Sequence, residues 1–458
     1  MFRTRKRENV GFSTTRIIVL GFLGAIIIGT LLLLLPFATV KGEYTTPVDA
    51  LFTATTSVCV TGLVTVPTFS HWTIFGQVII ALLAQIGGLG VITFTTIFLL
   101  ILRKKIGLKE RLLIQDAYNL DTIQGLVILV KKIIKGTLVV EGVGALLYMT
   151  VFIPEYGAIG IWKSIFNSVS AFCNAGMDVL GNSSLESYVG NPIVNFTTMF
   201  LIILGGIGFP VWWNVIEVFR YDRSEYTCLR DSIHHLRLHS KVVLAVTAIL
   251  IFGGAIIIFA LEYNNSATLG ALPFWEKCQA ALFQSVTTRT AGFATISQSG
   301  LRTSTAFICC LLMFIGGSPS GTAGGIKTTT IAILCMTVIS IVRGRRDTEM
   351  FERKVNDGVV RRALSIFMVS LSVMLLSVIA LAVVQPGSFI DCFYEAVSAI
   401  ATVGLSRDLT MELNVAGKIV IIITMYIGRI GPISLALFFN SKRFLNIKSY
   451  KEENVSVG

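Results

Sequence analysis

Four short stretches of this chain end in a turn glycine, and together they limit the possible folds more than any other feature. The clearest is Ser285-Val286-Thr287-Thr288-Arg289-Thr290-Ala291-Gly292-Phe293. It is too short and too polar to cross a bilayer, yet it lies between two long apolar runs, Val242 to Leu261 and Thr303 to Ile315. Thr55 to Leu63, Ser168 to Met177 and Ala396 to Leu405 have the same design. Their glycines, Gly62, Gly176, Gly292 and Gly404, are spaced by 114, 116 and 112 residues. A half-crossing segment that stops at such a turn can present backbone carbonyls to a pore. Four copies at near-constant spacing suggest four walls around one central axis.

The chain around these turns is a lipid-embedded one. Of its 458 residues 53% are hydrophobic and only 14% charged, with a mean hydropathy of +0.76, which places it among polytopic membrane proteins. The uncharged run from Ile17 to Val40 is longer than a signal-peptide core and is read as a retained helix. The net charge of +12 could suggest nucleic acid, but 29 of the 38 Lys and Arg fall in five blocks: Arg3 to Arg16, Arg103 to Lys135, Arg220 to Lys241, Arg343 to Arg362 and Lys442 to Lys451. The connections between them are nearly neutral. That alternation is the positive-inside pattern, and it puts both termini and all five blocks in the cytoplasm. The basic balance is topological and implies no nucleic-acid partner.

Eight apolar segments are long enough to span: Thr15–Ala38, Trp72–Leu102, Gly125–Ile153, Pro192–Phe219, Val242–Tyr263, Thr303–Val342, Val359–Val384 and Val415–Asn440. The expected fold is an all-α membrane protein of four parallel helix–pore helix–filter–helix repeats around one pseudo-fourfold pore. Repeats over 1–103, 104–222, 223–346 and 347–441 would be followed by a cytoplasmic tail, 442–458. Phe52, Phe166, Phe283 and Tyr394 are taken to open the four pore helices, the third running one residue shorter to its glycine.

The expected filter comprises Val60, Thr61 and Gly62; Asn174, Ala175 and Gly176; Thr290, Ala291 and Gly292; and Thr402, Val403 and Gly404. One glycine per strand lets the backbone turn so that carbonyls replace a cation's water shell. No ring of Asp or Glu stands at the turns; only Asp178 follows closely. This favours a monovalent ion over Ca²⁺. Four unlike strands imply weaker selectivity than four identical ones.

The segment Thr303–Val342 is about twice as long as a bilayer core requires. Its middle holds Gly316, Gly317, Ser318, Pro319, Ser320, Gly321, Thr322, Ala323, Gly324, Gly325 and, past Ile326, Lys327. Such a run breaks a helix, and non-helical backbone at membrane depth survives only beside water or buried in protein. The reading is a gate loop under the filter. Gly87-Gly88-Leu89-Gly90, Gly205-Gly206-Ile207-Gly208 and Gly428-Arg429-Ile430-Gly431-Pro432 are its counterparts, with Arg429 replacing the second glycine. An intramembrane arginine is costly, so Arg429 is expected either to slow cations as a fixed charge or to donate to loop carbonyls.

With these residues laid out, the chain resembles the Trk/Ktr/HKT superfamily of potassium transporters, most closely the membrane subunit of bacterial Ktr systems. The resemblance covers essentially the whole chain and is most specific in Ser285–Phe293, Gly316–Lys327 and Gly428–Pro432. It implies K⁺ as the transported ion at the filter carbonyls, with Na⁺ coupling or a weakly selective Na⁺/K⁺ transporter as the alternative. It also implies a homodimer in the bacterial plasma membrane, one pore per subunit, and control by a cytosolic nucleotide-binding regulatory ring. Pro319 departs from the small flexible residue expected in the loop. No glycine-rich dinucleotide fingerprint follows a strand, so nucleotide would bind only a partner subunit. An alternating-access transporter would show inverted or two-fold repeats, and an enzyme a catalytic cluster; neither is written here.

Overall fold

The computed structural model describes residues 14–41, 44–90, 93, 96, 126–181, 183–221 and 235–431. It is helical nearly throughout; a short hairpin pairing Glu349–Met350 with Arg353–Lys354 supplies the named strands among the described residues. Each quarter of the chain has an outer helix, a buried pore helix and an inner helix. The outer helices are Thr14–Leu33, Leu126–Tyr156, Leu238–Glu262 and Asp357–Val384, each apolar and long enough to cross a bilayer. Side chains such as Ile249, Phe252, Ile256 and Val383 stay exposed along them, as lipid-facing positions require.

The pore helices are Pro47–Cys59, Ile159–Cys173, Phe274–Thr287 and Phe389–Ala401. The starts of the first and fourth are set by capping chemistry. The hydroxyls of Thr46 and Ser388 accept from the N–H groups of Asp49 and Asp391, and Pro47 occupies a first-turn position whose N–H would be unpaired. The aromatics Phe52, Phe166, Phe283 and Tyr394 therefore lie inside these helices rather than opening them, and all four are fully buried. They pack the scaffold; the polar caps mark the ends.

The inner helices pack in a cycle. Ile74–Leu89 of the first quarter meets the second pore helix, and Pro192–Ile207 meets the third. Thr303–Phe314 meets the fourth, and Val415–Ile430 returns to the first. The four quarters thus close around a common centre.

The inner helices differ from expectation in one respect. Only the third is expected to break, but the other three also stop, each at the same point of its glycine motif. The first ends at Leu89 and the fourth at Ile430, and the second bends by 96° into Phe209–Tyr221. The cause is the last glycine of each motif: Gly90, Gly208 and Gly431 have φ of 84°, 95° and 90°, a left-handed conformation that ends an α-helix. Of the expected continuation of the first span, 91–102, only residues 93 and 96 are described, and that of the fourth, 432–440, lies outside the described residues. In the third quarter residues 315–327 separate Thr303–Phe314 from Thr328–Val342.

The first glycine of each motif has a different task. A Cβ built on Gly87, Gly205 or Gly428 would lie 2.1 Å from the carbonyl oxygen of Val58, Phe172 or Ile400, in the last turn of the pore helix above. Only glycine lets the two backbones touch. Gly87→Ala, Gly205→Ala and Gly428→Ala are each expected to cost about 1–3 kcal/mol by overpacking. Thermal unfolding of detergent-solubilised protein should show it, with Gly253→Ala as the comparison, because nothing lies within 4 Å of a Cβ there.

Candidate functional site: the central turns and the loop beneath them

After each pore helix the chain passes through a left-handed residue and, two positions later, a glycine with positive φ. Val60, Asn174, Thr290 and Thr402 have φ of 54°, 57°, 68° and 52°. Gly62, Gly176, Gly292 and Gly404 have φ of 97°, 65°, 82° and 94°. Three of these non-glycine residues are β-branched, for which the conformation costs on the order of 1–3 kcal/mol. In the third quarter the helix stops at Thr287, and Ala291 reaches back four residues to its carbonyl where Thr61, Ala175 and Val403 reach back five, which accounts for the one-residue difference in spacing.

The residue before each glycine sends its N–H back to its own pore helix. Thr61, Ala175, Ala291 and Val403 donate to the carbonyls of Thr56, Ser170, Thr287 and Ser398 at 2.7–3.0 Å. Their own carbonyls face the glycine of the preceding quarter. A Cβ built on Gly62 would lie 2.7 Å from Ala175 O, one on Gly176 2.7 Å from Ala291 O, and one on Gly292 2.6 Å from Val403 O. One on Gly404 would lie 2.2 Å from Thr61 O, which completes the circuit. The four expected turns therefore meet in chain order as a closed ring of main chain, and any side chain at these glycines would strike it.

One side of the ring opens into a cavity of about 180 Å³ lined by the four glycines together with Asp178, Glu186 and Asp408. Asp178 and Asp408 follow their turn glycines by two and four residues, and Glu186 follows Gly176 by ten. Burial, reinforced by the Asp408 carboxylate, holds the Glu186 carboxyl above its usual range.

On the other side lies the loop between Phe314 and Thr328. Gly324 donates its N–H to Thr290 Oγ1 at 3.3 Å, and a Cβ on it would lie 1.9 Å from Thr402 Oγ1. The loop is fully engaged with protein. Ser318 and Thr322 donate backbone N–H groups to the carbonyls of Gly206 and Gly205, and the Ser320 carbonyl accepts from Phe209 N–H. Thr322 Oγ1 donates to the Phe172 carbonyl. Gly316 and Gly317 close the loop on itself by donating to the carbonyls of Ile326 and Gly324. Gly321 packs on the Gly205 carbonyl and Gly325 takes φ 65°. Pro319 rests its carbonyl against Gly208, at the bend of the second inner helix.

Two cations hold the loop. Lys327 Nζ donates to the Ala323 carbonyl at 2.7 Å. Arg429 Nη1 donates to the Thr322 carbonyl at 2.6 Å, while Nη2 donates to the Gly87 carbonyl at 2.5 Å. The guanidinium thus bridges the loop to the end of the first inner helix, a two-pronged contact that suits its planar fork. Beside this assembly the side-chain amide of Asn174 and the hydroxyls of Thr61 and Thr402 are buried without hydrogen-bond partners. Oxygens left so at the ring could serve a dehydrated cation.

The family profile described as TrkH, cation transport protein, matches residues 4–446. The chain is 40% identical over 450 residues to the Ktr system potassium uptake protein B of Bacillus subtilis, covering 98% of both chains. It is 39% identical over 461 residues to the potassium/sodium uptake protein NtpJ of Enterococcus hirae, covering 99% of both. The crystal structure of the potassium transporter TrkH from Vibrio parahaemolyticus superposes with a TM-score of 0.73 at 16% identity, over 94% of this chain and 86% of that one.

Arg429→Gln removes the bridge between the loop and the first inner helix. It is expected to raise rubidium uptake by about tenfold, equivalent to ~1.4 kcal/mol of lost restraint, at an unchanged amount of protein in the membrane. Arg429→Lys should restore the restraint only in part. Uptake that falls in proportion to the protein present would instead make Arg429 a scaffold residue.

Proposed function

Because this chain belongs to the TrkH family of cation transport proteins, we propose that it takes up potassium ions through the ring of main-chain carbonyls formed by its four pore turns. The observation that carries this reading is the closed circuit in which Thr61, Ala175, Ala291 and Val403 aim their N–H groups outward and their carbonyls at the neighbouring glycine. Such oxygens replace a water shell without a fixed charge, which suits a weakly hydrated monovalent ion. The filter residues are Val60–Gly62, Asn174–Gly176, Thr290–Gly292 and Thr402–Gly404. The acidic cavity above concentrates cations at the mouth, and the outer face of the membrane is its natural side given the positive-inside pattern.

Gly316–Lys327 acts as the gate. It lies against the foot of the ring, and Arg429 with Lys327 keep it there. Opening requires these bonds to be exchanged for others, which a cytosolic partner can drive. The name of the B. subtilis relative describes part of a system. A nucleotide-binding regulatory ring on the cytoplasmic side of a homodimer, in the bacterial plasma membrane with both termini inside, fits the basic linkers. The four repeats, 1–103, 104–222, 223–346 and 347–441, are the walls of one pore.

A second reading has a specific support: the E. hirae relative is named for potassium and sodium uptake. Four non-identical strands, one bearing Asn174 where the others have Val60, Thr290 and Thr402, favour imperfect discrimination between the two ions.

Expression in a bacterium that lacks its own potassium uptake tests the proposal. The full chain should restore growth at low K⁺ and rubidium uptake, and Gly292→Ser should lower uptake by about tenfold to a hundredfold, as ~1–3 kcal/mol of overpacking at the narrowest point implies. Uptake indifferent to Gly292→Ser would refute the carbonyl filter.

A further inference from the structure

Serine and threonine inside helices usually turn their hydroxyls back onto the preceding turn. In the first pore helix Thr55 and Ser57 do this, donating to the carbonyls of Leu51 and Thr53. Thr56, between them, does not. Its Oγ1 accepts the N–H of Gly62 at 2.9 Å. The fourth quarter repeats the arrangement, with Ser398 Oγ accepting the N–H of Gly404 at 3.0 Å. In the second quarter Ser170 Oγ accepts the N–H of Met177 at 3.1 Å and donates to the Met177 carbonyl at 2.5 Å. In the third, Thr287 Oγ1 donates to the Phe293 carbonyl at 2.6 Å.

All four hydroxyls are buried. The same four residues also receive, at their own carbonyls, the N–H of the residue before each glycine. Each filter strand is therefore pinned twice to a single pore-helix residue. The backbone bond holds the residue before the glycine, and the hydroxyl holds the glycine N–H in the first and fourth quarters and the residue after the glycine in the second and third.

Resting on the filter reading above, we infer that Thr56, Ser170, Thr287 and Ser398 are the specificity-determining posts of this pore, positioning residues that set its width without touching the ion. The posts fall into two kinds. Thr56 and Ser398 hold the amides of Gly62 and Gly404, which are neighbours in the ring and meet at its tightest interval, where a Cβ on Gly404 would lie 2.2 Å from Thr61 O. Without the hydroxyl, a buried glycine N–H loses its acceptor, and the peptide before it is free to rotate Thr61 O or Val403 O off the axis. Glycine offers no side-chain resistance to that rotation. Ser170 and Thr287 instead occupy the Met177 and Phe293 carbonyls, one residue beyond the glycine.

The test compares K⁺ with Na⁺ uptake in the potassium-uptake-deficient cells, at matched amounts of full-length protein in the membrane. Thr56→Val and Ser398→Ala should raise Na⁺ uptake relative to K⁺ by about three- to tenfold, the scale of one lost hydrogen bond. Thr56→Ser and Ser398→Thr should keep the wild-type ratio. Should Ser398→Ala not reach the membrane, Ser398→Cys supplies the same reading, being close in size and a far weaker acceptor. A wild-type ratio in the hydroxyl-deleted proteins, with uptake changing only as protein amount changes, would overturn the inference. Gly292→Ser separates the two levels. If it abolishes uptake while Thr56→Val and Ser398→Ala keep the ratio, the posts alone are wrong; if it changes nothing, the filter reading falls.

Discussion

Backbone that is not helical has unpaired N–H and C=O groups, and inside a bilayer there is no water to take them. This chain places five such segments at its centre, four turns and one loop, and the architecture around them exists to supply their partners. The residue before each turn glycine pairs with its own pore helix, and the loop from Ile315 to Lys327 pairs with the carbonyls of Gly205 and Gly206. Those carbonyls are available only because the second inner helix stops at Gly208. The broken helices and the non-helical segments therefore complete one another: each helix end offers the acceptors that the adjacent loop requires.

The same principle explains where positive charge is tolerated at depth. Lys327 and Arg429 are not matched by carboxylates but by main-chain carbonyls of Ala323, Thr322 and Gly87. A carbonyl dipole stabilises a cation without neutralising it. The loop is thereby tied to the end of the first inner helix, and a shift in one inner helix is felt at the loop through a single guanidinium. A gate needs such a coupling, a two-state element with a bias that other parts of the molecule can change.

Much of this was legible in the residues. Four glycines at near-equal spacing gave the ring, the Gly316–Lys327 run gave the loop, and Arg429 was marked by its place in a glycine motif. Other features were hidden for physical reasons. Hydropathy cannot distinguish a span that continues from one that bends, so the breaks at Gly90 and Gly208 read as uninterrupted apolar sequence. An aromatic such as Phe52 or Tyr394 marks burial, not a helix start, and the polar caps Thr46 and Ser388 were the better signal. The hydroxyls of Thr56 and Ser398 looked like ordinary small residues of a packed helix. Only the direction of a rotamer distinguishes them from Thr55 and Ser57 beside them, and spacing does not encode that direction. Glu186 and Asp408 reach the mouth through loops whose path no periodicity describes.

Under the proposed function an alkali cation sits on the axis among the carbonyls of Thr61, Ala175, Ala291 and Val403. Thallium or rubidium soaked into crystals of the protein would place anomalous density wherever the ion is held. The account requires a peak on that axis, between the four glycines, that weakens when K⁺ competes. Peaks confined to the acidic cavity or the cytoplasmic side, with the centre of the ring empty at saturating ion, would contradict it.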